Sequence, residues 1–590
     1  MQDELFFLFY TQKLVYIVID TDSLYSVSFY LTFINFKGAY KLKLSGSKVI
    51  LECLKEQKVD TIFGYPGGAV LPIYDALYSE KDITHIITAH EQGATHAADG
   101  YARTTGKPGV VLTTSGPGAT NTITGIATAY MDSVPLIIFT GQVAKSYLGK
   151  SSFQEVNITS ITSAITKANF LVKEPESLAD TIRNAFKVAT LGRPGPVLID
   201  VPKDIQLAQI DYEKDISPKL VHTKTITGLK EAAKLISECK KPLIYAGGGV
   251  NISSADKELL TFAEKINSPV TCSLMGMGGF PGDHKLHLGM IGMHGTYSSN
   301  HAVSNCDLLI AIGARFSDRV TSKVSHFAPK AKIIHIDIDP MEFNKNIPED
   351  LSICGDVKEV LSKLIELVEE KNEVNWVNKV LASKEAHPLK YNHKGLNPQF
   401  ILNTLYNLTK GECIITTEVG QNQIWTAQFY KFLHPKTLVT SGGLGTMGFG
   451  LSAAIGAQIA NPNKKVINIA GDGSFKMNSI ELATISKFKL PIIQLVLNNH
   501  VLGMVHQWQD MFHSGNFSHS ELGPDVDFVK LGEAYGIKSM RITSNEEVER
   551  CLDEALALNE PVVIDCDICP HEKVFPIVPP GAAVSELIEE

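Results

Sequence analysis

No arginine precedes Arg103 in this chain of 590 residues, no apolar run reaches across a bilayer, and the nine cysteines are scattered. Each absence closes a class. An organelle transit peptide is rich in arginine and serine, whereas residues 1–40 are crowded with Phe, Tyr, Leu and Ile. A membrane helix needs roughly twenty apolar residues, and Asp20 and Asp22 interrupt that same stretch. Neither address fits, so we expect a cytoplasmic protein of bacterial type with its working part starting near Lys41 and a non-essential extension before it. The only close cysteine pair, Cys566 and Cys569, has no partner pair, so two buried thiols are expected there, in a reducing compartment. A net charge of −9 and a pI near 6.1, without a Lys/Arg stripe, exclude the field that nucleic acid or an anionic membrane surface needs. There is no short-period repeat and no low-complexity tract.

What is present is an enzyme-sized α/β chain of about three or four domains by length. From Leu44, apolar strands such as DTIFGY, HIIT, GVVLTT, PLIIFT and PVLIDVP alternate with helical spacing, the pattern of a parallel sheet. The polar stretch at about 210–225 reads as a linker. PLIYAGGG, PVTCSL, DLLIAIG and KIIHIDID then form a second unit closing near Glu370, and the charged segment after it reads as a second linker. CIITTE, TLVTS, KVINIAG, PIIQLVLNN and PVVIDCD form a third unit. We therefore expect three doubly wound parallel-sheet domains at 41–208, 226–370 and 396–570, with a tail at 571–590.

The chemistry concentrates in GDGSFKMNSIELATISKFKLPIIQLVLNN, from Gly471 to Asn499. Gly471 and Gly473 let backbone approach a phosphate, Asp472 offers a hard carboxylate oxygen, and Asn499 adds a neutral amide oxygen after an apolar strand. That set suits a diphosphate held through Mg2+. A literal GxGxxG at Gly443, Gly445 and Gly448 is a decoy for a nicotinamide site, because Ile467 to Ala470 are apolar where an acid should grip ribose.

The Gly471–Asn499 run resembles the signature of thiamine diphosphate enzymes, and the segment from about Lys41 onward resembles the catalytic subunit of acetohydroxyacid synthase. The likeness rests on several motifs: FGYPGGAVLPIYDAL, TAHEQGATHAADGYART, SGPGATN, FQE, GRPGPVLIDVPKDIQ, ARFSDRVT and LGMVHQWQDMF. It implies that Glu91 faces the pyrimidine ring nitrogen of thiamine diphosphate. Val419, Gly420, Gln421, Asn422, Gly471, Asp472, Gly473, Ser474 and Asn499 would line the diphosphate, with Asp472, Asn499 and Val501 on the metal. Gly445 and Met447 would seat the aminopyrimidine, though core filling is as common a use of such a methionine. Gly68, Phe153, Arg319, Met504 and Trp508 would meet substrate, with Gln154 and Lys203 catalytic; Arg319 has the planar fork that suits a keto-acid carboxylate.

The central unit resembles the FAD domain of the same family. AGGGVN would offer the amides of Gly247, Gly248 and Gly249 to a pyrophosphate, with Met293, His294, Gly295, Gly313, Arg315, Asp318, Asp337, Asp356 and Arg193 around the cofactor. An acidic strand end such as Asp337 or Asp356 serves as often as a helix cap. The implied reaction decarboxylates pyruvate and joins the two-carbon fragment to pyruvate or 2-ketobutyrate. The implied assembly is a homodimer or homotetramer with sites between chains and a small regulatory partner. Departures from the family pattern are Asn422 in place of a histidine, Ser452 in place of a proline, and His506 and Asn516. Pyruvate oxidase, a flavin-free acetolactate synthase and a non-catalytic scaffold are the competing readings.

Overall fold

Continuous Val/Ile/Leu runs bounded by glycine or proline become strands buried on both faces, and three such groups assemble into three six-stranded parallel sheets. The computed structural model describes residues 42–215, 225–372, 374–390 and 395–590, with the backbone of 6–10, 13–17 and 32–33. Those three short segments pair as a small antiparallel sheet. The rest of the expected N-terminal extension lies outside the described residues.

The first sheet runs Thr84–Ile87, Thr61–Tyr65, Gly109–Thr113, Leu136–Gln142, Val197–Pro202, Ala168–Leu171. The third runs Leu438–Val439, Ile414–Thr417, Val466–Gly471, Ile492–Asn498, Val562–Asp567, Lys538–Ile542. Numbered within each unit, both have the order 2-1-3-4-6-5, so the two are topological copies. The central sheet runs His287–Met290, Val270–Cys272, Pro242–Ala246, Leu308–Ile312, Lys332–Asp337, Leu351–Cys354, which is the 3-2-1-4-5-6 order of dinucleotide-binding sheets. Three doubly wound domains are therefore present, and each has a crevice where the strand order reverses.

Four strands of the six-stranded sheets escape the sequence pattern: Ala168–Leu171, His287–Met290, Leu351–Cys354 and Lys538–Ile542. All are sheet edges; three are largely half-buried or exposed, and the buried His287–Met290 carries a histidine and a glycine, so none has the unbroken apolar run that marks a central strand. Both linkers also need correction. Gln209–Tyr212 pairs antiparallel with Leu42–Ser45 and buries Ile210 and Tyr212, a period-2 pattern hidden by charged neighbours. Val374–Ala386 is a helix that buries Trp376, whose indole N–H donates to the Pro242 carbonyl at 2.9 Å. Residues 216–224 and 391–394 of these segments lie outside the described residues. Of the two cysteines expected to be buried, Cys566 is, while Cys569 is exposed beyond the strand end. Among the described residues no helix is long and apolar enough to cross a membrane.

Helix Glu91–Thr105 of the first unit crosses helix Gly450–Ala460 of the third at glycines: a Cβ on Gly100 would lie 2.1 Å from the Ala453 carbonyl oxygen, and one on Gly456 1.7 Å from that of Ala97. Only glycine allows backbones so close. Arg103 locks this crossing. Its guanidinium meets the buried Asp99 and Asp132 and donates to the Thr440 carbonyl, while Asp132 accepts the amides of Gly442 and Gly443. Arg103→Leu leaves two buried carboxylates unpaired and is expected to cost about 3–5 kcal/mol, read as a lowered urea midpoint.

Candidate functional site

The reversal point of the third sheet lies between Ile414–Thr417 and Val466–Gly471, and a ligand is expected beyond the carboxyl ends of those strands. Val419–Asn422 leaves the first strand there and Gly471–Ser474 the second, so the fold brings the two predicted phosphate turns together. Asp472 starts helix Asp472–Asn478, is 1% exposed, and its Oδ2 has no hydrogen-bond partner. Burial raises the Asp472 pKa to about 6, against the pull of Lys476. The Asn499 side chain brings an amide atom 2.9 Å from the Val501 carbonyl oxygen and 3.2 Å from Asp472 Oδ1. Asn499 Nδ2 is turned the other way and donates to Gln421 Oε1 at 3.2 Å, so the inward atom is Oδ1.

Three oxygens thus converge at spacings near the about 3.0 Å that separates neighbouring ligands around a hard cation with 2.0–2.1 Å bonds. Without a cation these oxygens repel, and a buried carboxylate oxygen beside them lacks a partner. The donor set Asp472, Asn499 and the Val501 carbonyl fits Mg2+.

Glu418, which the sequence reading passes over, is fully buried behind this crevice. Its carboxylate accepts the Gly448 amide and the Ser474 hydroxyl, each at 2.8 Å, and the Leu451 amide at 3.1 Å. Burial pushes its pKa up while these donors pull it down. Glu418 therefore ties the Gly445–Gly448 turn to the GDGS turn; its place directly before VGQ was the available signal. Gly445 adopts φ +68° and is exposed, and Met447 is half-buried. Asn422 donates to the Ile469 carbonyl at 2.9 Å. Ser452 accepts from Asn478 Nδ2 at 2.8 Å, a bond proline could not supply.

In the first unit, Glu91 opens its helix, half-buried, with Oε2 accepting from Asn121 Nδ2 at 2.9 Å and Oε1 beside Gly118. Glu481, also passed over, is fully buried and accepts the amides of Ala89 and His90 at 3.1 Å, fastening the start of that helix to the third unit. Gln154 packs on Gly116 with φ +58°, a left-handed conformation uncommon for its type. Gly68 faces open space, Phe153 is 87% exposed, and Lys203 and Arg319 point to solvent, with Asp318 3.7 Å from Arg319 Nε. Met504 and Trp508 lie half-buried on helix Gly503–Phe512, with Trp508 edge-on to Phe512. Phe153, Lys203 and Arg319 thus lie exposed on the single chain, whereas Met504 and Trp508 follow Asn499 and Val501 on the third unit.

In the central unit the glycine run meets Gly313 across the reversal point. The Gly247 amide donates to Ile312 and that of Gly249 to Gly313, so two of the three amides expected for a pyrophosphate are spent inside the protein. The glycines instead permit the close approach of two turns: a Cβ on Gly247 would lie 2.1 Å from the Gly313 oxygen. Met293 and Gly295 hold the neighbouring turn through backbone bonds, and His294 faces the Pro576 carbonyl with its pKa lowered by burial to about 4. Arg315 donates to the Met131 carbonyl, and Arg193 pairs with Glu342 at 2.6 Å and Asp339 at 3.3 Å. Asp337 is 8% exposed at its strand end and accepts the Asp339 amide. Asp356 is a helix cap, accepting the amides of Lys358 and Glu359.

Sheet order, convergent oxygens and paired crevices define a thiamine pyrophosphate enzyme. Descriptions of that class match residues 44–161 (N-terminal TPP binding domain), 229–364 (central domain) and 418–566 (C-terminal TPP binding domain). The chain is 49% identical to a probable acetolactate synthase large subunit of Methanocaldococcus jannaschii, over 92% of this chain and 95% of that one. It is 48% identical to the acetolactate synthase large subunit of Buchnera aphidicola, over 92% and 98%, and 44% identical to the isozyme 2 large subunit of Escherichia coli, over 93% and 100%. The chain belongs to the acetolactate synthase large-subunit family.

Proposed function

We propose that this chain is the catalytic subunit of acetohydroxyacid synthase: it decarboxylates pyruvate and joins the two-carbon fragment to pyruvate, giving 2-acetolactate, or to 2-ketobutyrate, giving 2-aceto-2-hydroxybutyrate. These are the first common products on the way to valine, leucine and isoleucine. The observation that carries this reading is identity of 44–49% along more than nine tenths of the chain to proteins bearing that name. Thiamine diphosphate, when bound, supplies the nucleophilic carbon and the electron sink. Asp472, Asn499 and the Val501 carbonyl would hold Mg2+, and the turns at 419–422 and 471–474 would hold the diphosphate. Gly445 and Met447 would seat the aminopyrimidine. Glu91, its Oε2 held by Asn121, would face the ring nitrogen as the acid–base group.

The exposure of Phe153, Lys203 and Arg319 on the isolated chain supports a homodimer or homotetramer with its sites between chains, Glu91, Gly68 and Gln154 of one copy meeting the diphosphate turns, Met504 and Trp508 of the other. The 3-2-1-4-5-6 sheet supports FAD in the central domain, within the working division 41–208, 226–370 and 396–570. The relatives' designation as large subunits supports a small regulatory partner, and their bacterial-type sequence a cytoplasmic setting.

The test is incubation with pyruvate, thiamine diphosphate, Mg2+ and FAD, with and without 2-ketobutyrate, quantifying both hydroxyacids, acetaldehyde and acetate. Both hydroxyacids are expected. Acetate with flavin reduction would make the chain an oxidase. Trp508 is the acceptor-selecting residue in this reading, since one methylene against an apolar wall is worth about 1–3 kcal/mol. Trp508→Leu is expected to lower the 2-ketobutyrate preference about tenfold or more, read from product ratios in mixed-substrate assays.

A further inference from the structure

The orientation of the Asn499 amide is set from outside the cofactor crevice. Val574, in the C-terminal tail, is fully buried; its N–H donates to Gln507 Oε1 at 2.8 Å and its carbonyl accepts from Gln507 Nε2 at 2.9 Å. A backbone amide cannot exchange these roles, so the Gln507 side chain has one orientation. Gln507 Oε1 then accepts a second bond, from Gln421 Nε2 at 3.0 Å, and the other Gln421 Nε2 proton goes to the Glu572 carbonyl at 3.0 Å. Gln421 Oε1 is left facing Asn499, which must answer with Nδ2. Gln507, Gln421 and Asn499 are 1%, 5% and 4% exposed, so water does not relax the pattern. There is no slack either, since a Cβ on Gly503 would lie 2.0 Å from Gln421 Oε1.

We propose that Gln507 is a positioning residue for the metal: together with the Glu572 carbonyl it fixes Gln421, which compels Asn499 to present its oxygen to the cation, and this depends on the docking of tail residues 572–574. In a metal-free chain an inward nitrogen would be the better partner for the Val501 and Asp472 oxygens, so this hydrogen-bond chain holds Asn499 in the arrangement that only the cation rewards. The inference rests on the reading of Asp472 and Asn499 as metal ligands.

The test is a titration of purified full-length protein with Mn2+ in the presence of thiamine diphosphate, following free Mn2+ by electron paramagnetic resonance. Gln507→Leu is expected to weaken Mn2+ binding about 10- to 100-fold, the usual effect of losing a residue that orients a ligand. Gln507→Glu, with its carboxyl proton on the Val574 carbonyl, still accepts from Val574 N–H and from Gln421, and is expected to bind closer to wild type than Gln507→Leu. In an Asn499→Asp background a carboxylate offers oxygen in either orientation, so Gln507→Leu is expected to cost nothing there. Equal losses in both backgrounds, a loss in Gln507→Glu as large as in Gln507→Leu, or no loss at all would overturn the proposal. Mn2+ affinity unchanged by Asp472→Ala would instead overturn the metal reading beneath it.

Discussion

Glu91→Gln is expected to lower turnover about 10²- to 10⁴-fold, the range for loss of a positioned acid–base group, while Mg2+-dependent binding of thiamine diphosphate stays near wild type. The reason is spatial. Glu91 stands at the start of helix Glu91–Thr105 in the first unit, and its Oε2 already accepts from Asn121, while the phosphate turns and metal oxygens belong to the third unit. Glutamine retains the size and the bond to Asn121 through its carbonyl oxygen, but cannot hold and release a proton. Steady-state rates and exchange of the cofactor C2 proton in deuterated water, followed by NMR, should fall by the same factor. A variant that exchanges as fast as wild type would remove Glu91 from the proton-transfer role. A variant that no longer binds the cofactor would make its role structural.

The second large effect belongs to Asp472. Its folded pKa, raised by burial from 3.8 to about 6, means that between those values the folded metal-free chain keeps a proton the unfolded chain has lost. Stability of the metal-free protein therefore falls as pH rises through that window, by about 3 kcal/mol for a shift of this size. Above pH 6 the carboxylate is charged, buried and without a partner at Oδ2, which is the state a divalent cation relieves. Below pH 6 the cation must displace the proton, so affinity for Mg2+ with thiamine diphosphate is expected to rise about tenfold per pH unit up to about 6 and then level. Asp472→Asn should be the more stable protein without metal at pH 7.5, by about 3 kcal/mol, and should lose the metal-linked gain in thermal midpoint. Other groups titrate in the same range, so the wild-type minus variant difference is the quantity to measure at pH 5 and pH 7.5. A difference that does not change between those two values would remove Asp472 as the titrating group.

The central strands, the three-unit layout and the GDG-to-NN spacing were legible because each is local: an unbroken apolar run needs no partner to be recognised, and phosphate chemistry restricts which residues can flank it. Four of the six edge strands, at 168–171, 287–290, 351–354 and 538–542, were not, because an edge needs no unbroken apolar run and these four have none. Glu418 and Glu481 were missed for a related reason. Beyond the place of Glu418 before VGQ neither acid carries a signal, and their partners, Ser474 with the Gly448 turn in one case and Ala89 with His90 in the other, come from distant sequence.

By itself the sequence determined the chemical inventory: a hard-oxygen pair around an apolar strand, glycine turns beside it, a glutamate at a helix start, and an acidic chain without a basic field. Tertiary structure decided what those groups do to one another. It set the shared 2-1-3-4-6-5 order of the first and third sheets and the 3-2-1-4-5-6 order between them. It spent the Gly247 and Gly249 amides on a neighbouring turn and made Asp356 a cap. It also brought the Val501 carbonyl and Asp472 Oδ1 to the Asn499 side chain. Hydrogen-bond polarity and desolvation depend on what lies within about 3 Å of an atom, and in a chain folded by parallel crossovers that neighbour comes from another strand.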